Sequence, residues 1–493
     1  MARPTASTQT RAHLSHPIVD ADGHSQEFLP AIDAYLSKVG ISQGVHQLIE
    51  GLLGPDAGRW AELGERQRAE VRAMRPPWWA TPTRNTLDFA TATMPRLLHA
   101  RLDELGIDFS VVYPTLALGF PSIQNDELRP AACRAINAYH ADLYAEHRDR
   151  LIPVALIPMH NPQEAIAELE YAVLELGLRA VMIASHVSRP IPVIAAQHPE
   201  AAPYARWLDT FGIDSPYDYD PLWKRAEELG VALATHGSGM GWGSRRSPSN
   251  YMYNQIGHFA AAGEALCKSL FLGGVTRRFP KLRFAFLEGG VAWACSLLAD
   301  QSSHWEKRNP AMLANYDPAA LDTRQLEALF EAHMGDRGWS TEGSGWVLRG
   351  AGSEACDDWA ALEVQTTGEL VERFVPHFFF GCEADDPMNG TAFNSRVNPG
   401  GRRLNAMLGS DLGHWDVPDM SKIYEEVLEP LEKGWLTERD LRDFAFGNPV
   451  RFYTDNDPDF FRGTAIESAV ESLLAEGKAH TGEGASSESG GIA

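Results

Sequence analysis

The stretch Pro17-Ile-Val-Asp-Ala-Asp-Gly-His24 begins as a compact apolar run and ends in side chains that could do chemistry. Asp22 and His24 are two residues apart, so an extended strand would present both on the same face. A carboxylate beside a neutral imidazole is a ligand pair for a divalent metal ion. The alternative is a strand that enters a turn, because Asp and Gly are common turn formers. The pair alone does not decide between these two interpretations.

Further polar residues stand directly after apolar runs elsewhere in the chain, namely His186, His236, Glu288 and Asp411. Each has an ordinary explanation when it is taken alone. A histidine after a strand is commonly a loop residue, and an aspartate there commonly caps the next helix. Their meaning depends on whether the strands that precede them end at the same place.

Short apolar runs alternate with helical patterns along most of the chain. The predicted strands cover 17–22, 106–114, 151–158, 178–185, 231–235, 281–287, 377–381 and 406–409. The predicted helices cover 126–148, 162–176, 221–230, 258–279, 293–307, 421–433 and 437–446. This alternation predicts parallel βα units, and the number of units predicts an α/β fold, a (β/α)8 TIM barrel with helical insertions. An open doubly wound sheet is the alternative, but it usually carries a glycine-rich phosphate loop after its first strand, which this sequence lacks.

In a (β/α)8 barrel, the carboxyl ends of all the strands meet at one mouth. The metal ligands expected at this mouth are Asp22, His24, His236, Asp411 and Glu288, with His186 and Glu27 as additional candidates. Asp411 and Glu288 are also candidate catalytic groups, because a carboxylate at a metal site can accept or donate a proton. The pattern therefore predicts a carboxylate-rich metal centre.

Loop residues near these positions are candidates for contact with a substrate. Arg245 could hold a substrate carboxylate in a bidentate pair, Trp242 could shape an apolar pocket, and His414 could support Asp411 or the pocket wall. His258 is a candidate catalytic group, with a solvated helix cap as the alternative interpretation. Glu383 and Asp385 follow the seventh predicted strand, where they either orient a ligand or lie on a surface loop.

Composition divides the chain into a core and flanking segments. We expect residues 1–15 to form a flexible arm and residues 16–476 to form the barrel, with insertions at about 28–101 and 309–375. Residues 477–493 are rich in Gly, Ser and Glu, a composition typical of a disordered tail.

Net charge, apolar runs and cysteine spacing limit the classes of protein to which this chain can belong. A net charge of −23 argues against nucleic acid or an anionic membrane as a partner. The sequence has no signal-peptide core and no apolar run long enough to span a bilayer. Its five cysteines are odd in number and widely spaced, which indicates a reducing compartment. We therefore expect a cytoplasmic protein with a small-molecule partner.

Several motifs in this order resemble the amidohydrolase-related family, in the branch that includes aminocarboxymuconate-semialdehyde decarboxylase and resorcylate-type decarboxylases. The matching segments span about 17–455 and are Ile18-Val-Asp-Ala-Asp-Gly-His24, Tyr219-Asp-Pro-Leu-Trp223, Thr235-His236-Gly, 274–282, Phe286-Leu-Glu-Gly-Gly290 with Trp293, 408–416, and Gly447-Asn-Pro449 with Arg451 and Tyr453. The resemblance implies a metal-dependent barrel enzyme with ligands at Asp22, His24, His236 and Asp411, and a homodimer or larger assembly.

Two departures from the family pattern leave the reaction open. Asp22 stands where the family often has a histidine, and Glu288 stands where its decarboxylases carry a catalytic histidine. We expect hydrolysis or decarboxylation of a small cyclic or aromatic carboxylate-type substrate, with zinc or manganese as the metal. The alternatives are a non-haem iron oxygenase with one or two iron ions, and a non-catalytic ligand-binding barrel.

Overall fold

The computed structural model describes residues 14–41, 60–77, 84–243, 245–317, 320–335 and 357–483. Its strands are β1 (Val19–Ser25), β2 (Phe109–Pro114), β3 (Leu151–Ile157), β4 (Ala180–Ile183), β5 (Val187–Pro190), β6 (Arg206–Asp209), β7 (Leu233–Thr235), β8 (Phe284–Phe286), β9 (Phe378–Cys382) and β10 (Asn405–Leu408). Eight of them form one sheet in the order β1-β2-β3-β4-β7-β8-β9-β10, and each adjacent pair in that order is parallel. The predicted (β/α)8 architecture is confirmed.

Two backbone hydrogen bonds complete the barrel between its last and first strands. The Asp411 N–H donates to the Asp22 carbonyl at 3.0 Å, and the His24 N–H donates to the Leu412 carbonyl at 2.6 Å. Because both bonds lie just past the end of β10, the seam of the barrel is also the place where two predicted ligand segments meet.

The strand sequences explain their burial. In β8, Phe284 and Phe286 pack in one hydrophobic cluster while Ala285 packs in another. In β9, Phe378 packs in the first of these clusters and Phe379 packs in the second. Such alternation follows from the two-residue repeat of a strand. Both faces of these strands are buried, as expected for a parallel sheet that is covered by helices.

Helices connect the strands and cover the barrel. The α-helices are Leu29–Lys38, Glu65–Glu70, Thr86–Thr93, Pro95–Leu105, Leu128–Leu143, Pro162–Glu170, Pro192–Gln197, Asp220–Leu229, Tyr251–Gln255, His258–Leu272, Val275–Arg278, Ala292–Arg308, Thr323–Met334, Thr367–Phe374, Asn389–Phe393, Ile423–Glu432, Glu438–Arg442, Asn448–Thr454 and Glu467–Glu483. Every predicted helix has a counterpart, although the one predicted over 258–279 is divided at Gly273 and Gly274. Within the described ranges, no helix is long and apolar enough to cross a membrane.

The segment between β4 and the helix Asp220–Leu229 contains two strands where the sequence predicted none. Strands β5 and β6 form an antiparallel pair. Arg189 donates to Asp209 at 2.6 Å, and Asp209 is fully buried. A buried ion pair between two short strands is a tertiary feature that strand periodicity does not report.

The described parts of the two predicted insertions are largely helical. The helix Leu29–Lys38 packs on Leu128–Leu143, and the segment 60–77 contacts the loop after β7. Residues 42–59, 78–83, 318–319 and 336–356 of these insertions lie outside the described residues, as do residues 1–13 of the predicted arm. At the carboxyl end, the backbone is helical to Glu483, and residues 484–493 of the predicted tail also lie outside the description.

Candidate active site

Six side chains with metal-ligand chemistry meet at the carboxyl-end mouth of the barrel. Ligand atoms of Asp22, His24 and His236 lie within 4.8 Å of one another, and so do those of His24, Glu288, Asp411 and His414. The two groups share His24. The structure thus brings together all five leading candidates of the predicted ligand set and adds His414 to them.

Strand β1 places Asp22 and His24 side by side, with Gly23 between them. His24 Nε2 lies 3.6 Å from Asp22 Oδ1, and His24 Nδ1 lies 3.2 Å from the Pro114 carbonyl. An N–H at Nδ1 would donate to that carbonyl and leave the Nε2 lone pair facing the cluster. A Cβ on Gly23 would collide with Ser110 Oγ and lie 2.5 Å from Asp20 Oδ2, so any other residue here would force these hydrogen-bonded groups to move.

Asp411 enters the site from the loop after β10. Its Oδ1 lies 3.4 Å from His24 Nε2 and 2.7 Å from His414 Nδ1. Its backbone has a φ of 50°, in the left-handed region that costs a non-glycine residue about 1–3 kcal/mol. The bond from the Asp411 N–H to β1 compensates part of that strain and ties this carboxylate to Asp22.

Glu288 follows β8 and shares the left-handed backbone, with a φ of 55°. An extended residue at this position would share a face with Phe286, which packs against Trp293. Glu288 instead reaches the cluster, where its Oε2 lies 3.0 Å from His236 Nε2. The left-handed backbone therefore directs this carboxylate into the site.

Asp20 is a residue of the site region to which the sequence pattern assigned no role. Its carboxylate is fully buried and accepts four hydrogen bonds, from the Asp22 N–H, the Ser410 N–H, the Ser410 hydroxyl and the Ser110 hydroxyl. The sequence signal for this role was a carboxylate inside an apolar strand, because a buried carboxylate needs hydrogen-bond donors from within the protein.

Two aromatic rings that the sequence did not single out also contact the histidines. The Tyr113 ring lies 6.2 Å from the His24 ring and 5.9 Å from the His236 ring, and the Phe259 ring stands edge-on to His236 at 4.8 Å. These contacts restrain both imidazoles on their apolar sides.

Burial dominates the electrostatics of the cluster. It raises the pKa of Asp22 and of Asp411 well above the ordinary aspartate value, and repulsion from Glu288 adds to both shifts. Burial also raises the pKa of Glu288 to about 7. It lowers the pKa of His24 well below its ordinary value and that of His236 and His414 to about 4. Neutral imidazoles are the form that binds a metal.

The donor set fits a divalent cation. Several buried ligand-type atoms have no hydrogen-bond partner, namely Asp22 Oδ1, Glu288 Oε2, both oxygens of Asp411 and both ring nitrogens of His414. Buried polar atoms of this kind are costly unless something satisfies them. A cation between these carboxylates and imidazoles would satisfy them and would offset the mutual repulsion of the three carboxylates.

The remaining candidates lie around the cluster. His186 contacts Ser185 Oγ at 2.9 Å through Nδ1 and packs edge-on against Trp242, and it belongs to neither metal-capable group among the described residues. His258 is buried at the first position of its helix rather than solvated. Its Nδ1 lies 3.1 Å from Ser238 Oγ, and its ring lies 3.9 Å from the Phe259 ring.

Arg245 lies in the loop after β7 and donates to the Ile256 carbonyl at 3.1 Å. Glu27 accepts from the Leu116 and Ala117 N–H groups, so both its oxygens serve the start of a 3-10 helix. Glu383 and Asp385 are exposed in the loop after β9. Among these, only the Glu27 carboxylate has a structural role that competes with metal binding.

A family sequence model and two curated proteins match parts of this chain. The sequence model of the Amidohydrolase family, Amidohydro_2, matches residues 101–361, more than half of the chain. The chain is 27% identical over 223 residues to 2-amino-3-carboxymuconate-6-semialdehyde decarboxylase of Dictyostelium discoideum, which covers 45% of this chain and 54% of that protein. It is 27% identical over 258 residues to Decarboxylase orsB of Emericella nidulans, and this match covers 49% of this chain and 63% of that protein. The chain thus spans less than two thirds of the length of these curated relatives.

Solved structures share the fold at low sequence identity. A 2,6-dihydroxybenzoate decarboxylase in complex with 2,6-dihydroxybenzoate is 14% identical with a TM-score of 0.51, covering 89% of this chain and 99% of that one. An amidohydrolase from Mycobacterium avium subsp. paratuberculosis K-10 is 16% identical with a TM-score of 0.53, covering 89% and 98%. These similarities extend over nearly the whole barrel.

Proposed function

We propose, since the chain belongs to the Amidohydrolase family, that it is a metal-dependent carboxy-lyase acting on a small aromatic or conjugated carboxylic acid. The observation that carries the proposal is the set of Asp22, His24, His236, Glu288 and Asp411 at the barrel mouth, whose side chains are at most 8% exposed. The choice of decarboxylation is supported by the two curated relatives, both of which are named as decarboxylases.

The residues proposed to hold the metal are Asp22, His24 and His236, with Asp411 beside them. A bound divalent cation would supply a positive centre that attracts and orients the anionic oxygens of a substrate. Carboxylate and imidazole ligands suit zinc and manganese, and they also accept iron. We favour zinc or manganese, with iron as the alternative.

Decarboxylation breaks the bond between the ring carbon and the carboxylate, releases carbon dioxide and leaves an electron pair on the ring carbon. That carbon must take up a proton. Asp411 is the proposed donor, because its two oxygens are free of hydrogen bonds and it is buried at the mouth. Glu288, 3.0 Å from His236 Nε2, is placed to orient the substrate or to return a proton to the site.

The surroundings of the cluster suit an aromatic ring. Trp242 packs edge-on against His186 at 5.2 Å between ring centroids, and Trp415 stacks on His414 at 4.2 Å. Such rings exclude water and strengthen the electrostatic interactions inside the site. Arg245 remains a proposed partner for a substrate carboxylate.

Release of carbon dioxide is the test of this function. The protein is stripped with a chelator, reloaded with Mn²⁺ and incubated without oxygen with a series of hydroxybenzoic acids, beginning with 2,6-dihydroxybenzoate. We expect carbon dioxide and the decarboxylated arene in equal amounts, and loss of both when the chelator is present. A hydroxybenzoic acid that reacts with the wild type is then incubated with the Asp411→Asn variant, and this variant should lose nearly all turnover.

Other results would support the competing functions. Oxygen uptake with an iron-loaded protein would indicate an oxygenase, and water-dependent cleavage of an amide or ester would indicate a hydrolase. A ligand-binding barrel would bind the acids tightly and release them unchanged. Its Asp411→Asn variant would bind them as the wild type does. Any of these outcomes without carbon dioxide would reject the carboxy-lyase assignment.

We also propose a cytoplasmic homodimer or larger homo-oligomer. Cys133, Cys267, Cys295 and Cys382 are free thiols, in keeping with a reducing compartment. Size-exclusion chromatography with light scattering tests the assembly.

The segment 60–77 is a proposed lid, because Arg75 N–H donates to the Ser247 carbonyl at 2.9 Å in the loop after β7.

A further inference from the structure

A cavity lies among the helices that cover the barrel, apart from the candidate active site. Its volume is about 440 Å³, and residues of the helices Leu29–Lys38, Pro95–Leu105 and Leu128–Leu143 line it. Sites for small molecules commonly have volumes of roughly 300–1,000 Å³. None of the six ligand-type side chains at the barrel mouth is among the described residues that line this cavity. The cavity is therefore separate from that cluster and large enough for a small molecule.

The wall of the cavity is mostly apolar. Phe28, Met94 and Leu143 line it and are 54%, 52% and 37% exposed, and Ala31 and Tyr139 complete this apolar wall. The Phe28 N–H donates to the Tyr139 hydroxyl at 3.3 Å, which joins two sides of the cavity. Exposed apolar side chains that surround one concave surface mark a binding site. A ligand with an apolar body would remove this surface from water.

Two polar side chains, Arg96 and His147, line the same cavity. Within the described part of the chain, neither the Arg96 guanidinium nor the His147 ring forms a hydrogen bond or an ion pair. The His147 ring contacts the His99 ring, with centroids 5.2 Å apart. A guanidinium has five N–H donors and a neutral imidazole has one. Both side chains are therefore available to donate hydrogen bonds to an anion.

The acidic residues nearest in sequence to the lining residues do not pair with Arg96. They are Glu27, Asp142, Glu146 and Asp149. Glu27 accepts from two backbone N–H groups, Asp142 accepts from a tyrosine hydroxyl at 2.8 Å, and Asp149 lies 3.0 Å from a histidine Nε2. Glu146 is exposed and forms no ion pair with either polar lining residue in the described structure. The positive charge of the guanidinium is therefore left for a ligand.

We propose that this cavity binds a small carboxylic acid with an apolar body. The carboxylate accepts hydrogen bonds from Arg96 and His147, and the apolar body lies against Phe28, Met94 and Leu143. A guanidinium matches a carboxylate in shape as well as in charge, because two parallel N–H groups meet two oxygens. An amine would be repelled by Arg96, and a neutral alcohol would leave its charge unpaired. The proposal does not depend on the reaction at the barrel mouth.

Calorimetric titration of the full-length protein with octanoate measures the proposed binding. We expect about one octanoate per chain in this cavity, and binding that is about tenfold or more weaker in Arg96→Gln, because a hydrogen bond to a charged group is lost. Arg66→Gln is the matched control, since Arg66 is an exposed arginine outside the cavity and should bind octanoate as the wild type does. 1-Octanol, which has the same body without the charge, should also bind about tenfold or more weaker.

Met94 provides a reporter of the location that requires no loss of binding. The protein is labelled with ¹³C at its methionine methyl groups, and the Met94 resonance is identified by its absence in Met94→Ile. Octanoate should shift this resonance in the wild type and in Arg66→Gln, with half-saturation at a higher concentration in Arg96→Gln.

Three results would overturn the proposal. The first is octanoate binding that leaves the Met94 resonance unshifted, which would place the acid elsewhere. The second is equal binding of octanoate and 1-octanol, or equal binding by folded Arg96→Gln and Arg66→Gln. The third is a Met94 resonance that shifts with protein concentration alone, together with growth of the assembly in light scattering, which would make this surface a contact between copies of the chain.

Discussion

The Asp20 carboxylate accepts hydrogen bonds from both the backbone N–H and the hydroxyl of Ser410, at 2.9 and 2.8 Å. These residues are 390 positions apart in sequence and belong to the two edges of the barrel seam. Because Asp20 also accepts from the Asp22 N–H at 3.2 Å, one buried carboxylate positions the segments that carry Asp22 and Asp411. The geometry of the candidate metal site therefore depends on a residue that does not enter it.

Replacing Asp20 with asparagine should loosen this arrangement. The new amide group presents a donor where the carboxylate accepted from the Ser110 and Ser410 hydroxyl groups, so both serines would have to accept instead and their own protons would lose this partner. We expect a loss of stability of about 1–3 kcal/mol and a roughly 10–100-fold weaker affinity for Mn²⁺. Urea unfolding and metal titration measure the two effects. Ser110→Ala, which removes one of the four donors, should change the affinity far less, and equal effects would contradict the positioning role.

Gly23→Ala should be strongly destabilising. The added Cβ would collide with Ser110 Oγ and approach Asp20 Oδ2, both of which are held by hydrogen bonds. Overpacking of this kind typically costs about 1–3 kcal/mol, and we expect the upper part of that range. Gly243→Ala is the control, because a Cβ there meets nothing within 4 Å. The thermal midpoints of the two variants give the comparison, and similar midpoints would disprove the steric argument.

His236→Ala should lose metal and activity while remaining folded. His236 Nε2 lies 3.7 Å from Asp22 Oδ1 and 3.0 Å from Glu288 Oε2, so its loss removes one ligand from the set that also contains His24. A metal-dependent reaction should slow by about 10³-fold or more, since the ion contributes several kcal/mol. Elemental analysis, circular dichroism and carbon dioxide release are measured on the same sample. Undiminished metal content in the folded variant would refute the assignment of His236 as a ligand.

Acid should destabilise the protein through His377, a buried histidine directly before β9. Burial lowers the pKa of His377 to about 4, and its Nδ1 lies 3.0 Å from the Leu282 carbonyl. The unfolded chain binds a proton near the ordinary value of about 6.5 while the folded protein does not. Stability from this group is therefore present above pH 6.5 and is lost as the pH falls toward 4, by up to about 3 kcal/mol.

The variant His377→Gln can still donate to the Leu282 carbonyl but cannot titrate. Its free energy of unfolding should fall less steeply than that of the wild type between pH 6.5 and 4. At pH 8, where the wild-type imidazole is neutral in both states, the two proteins should differ only by the change in packing. Parallel pH profiles for the two proteins would contradict the assigned pKa of His377.

The sequence by itself determined the barrel and indicated which ligand-type side chains would meet at its mouth. Alternating apolar runs and helical patterns report which faces are buried, so they identify strands and helices without knowledge of their neighbours. Asp22 and His24 share a face because a strand repeats every two residues, and His236, Glu288 and Asp411 follow strands whose carboxyl ends meet at one mouth. The metal-binding and catalytic roles of these residues stay predictions.

Only the tertiary structure decided which of the loop residues join this cluster. His186 and His414 both follow strands, yet His414 lies against Asp411 while His186 lies against Trp242. Backbone conformation at a strand end turns Glu288 inward, and closure of the barrel brings Ser410 onto Asp20. The physical reason is that contacts across the seam join residues hundreds of positions apart, and local periodicity contains no information about which of those residues will meet.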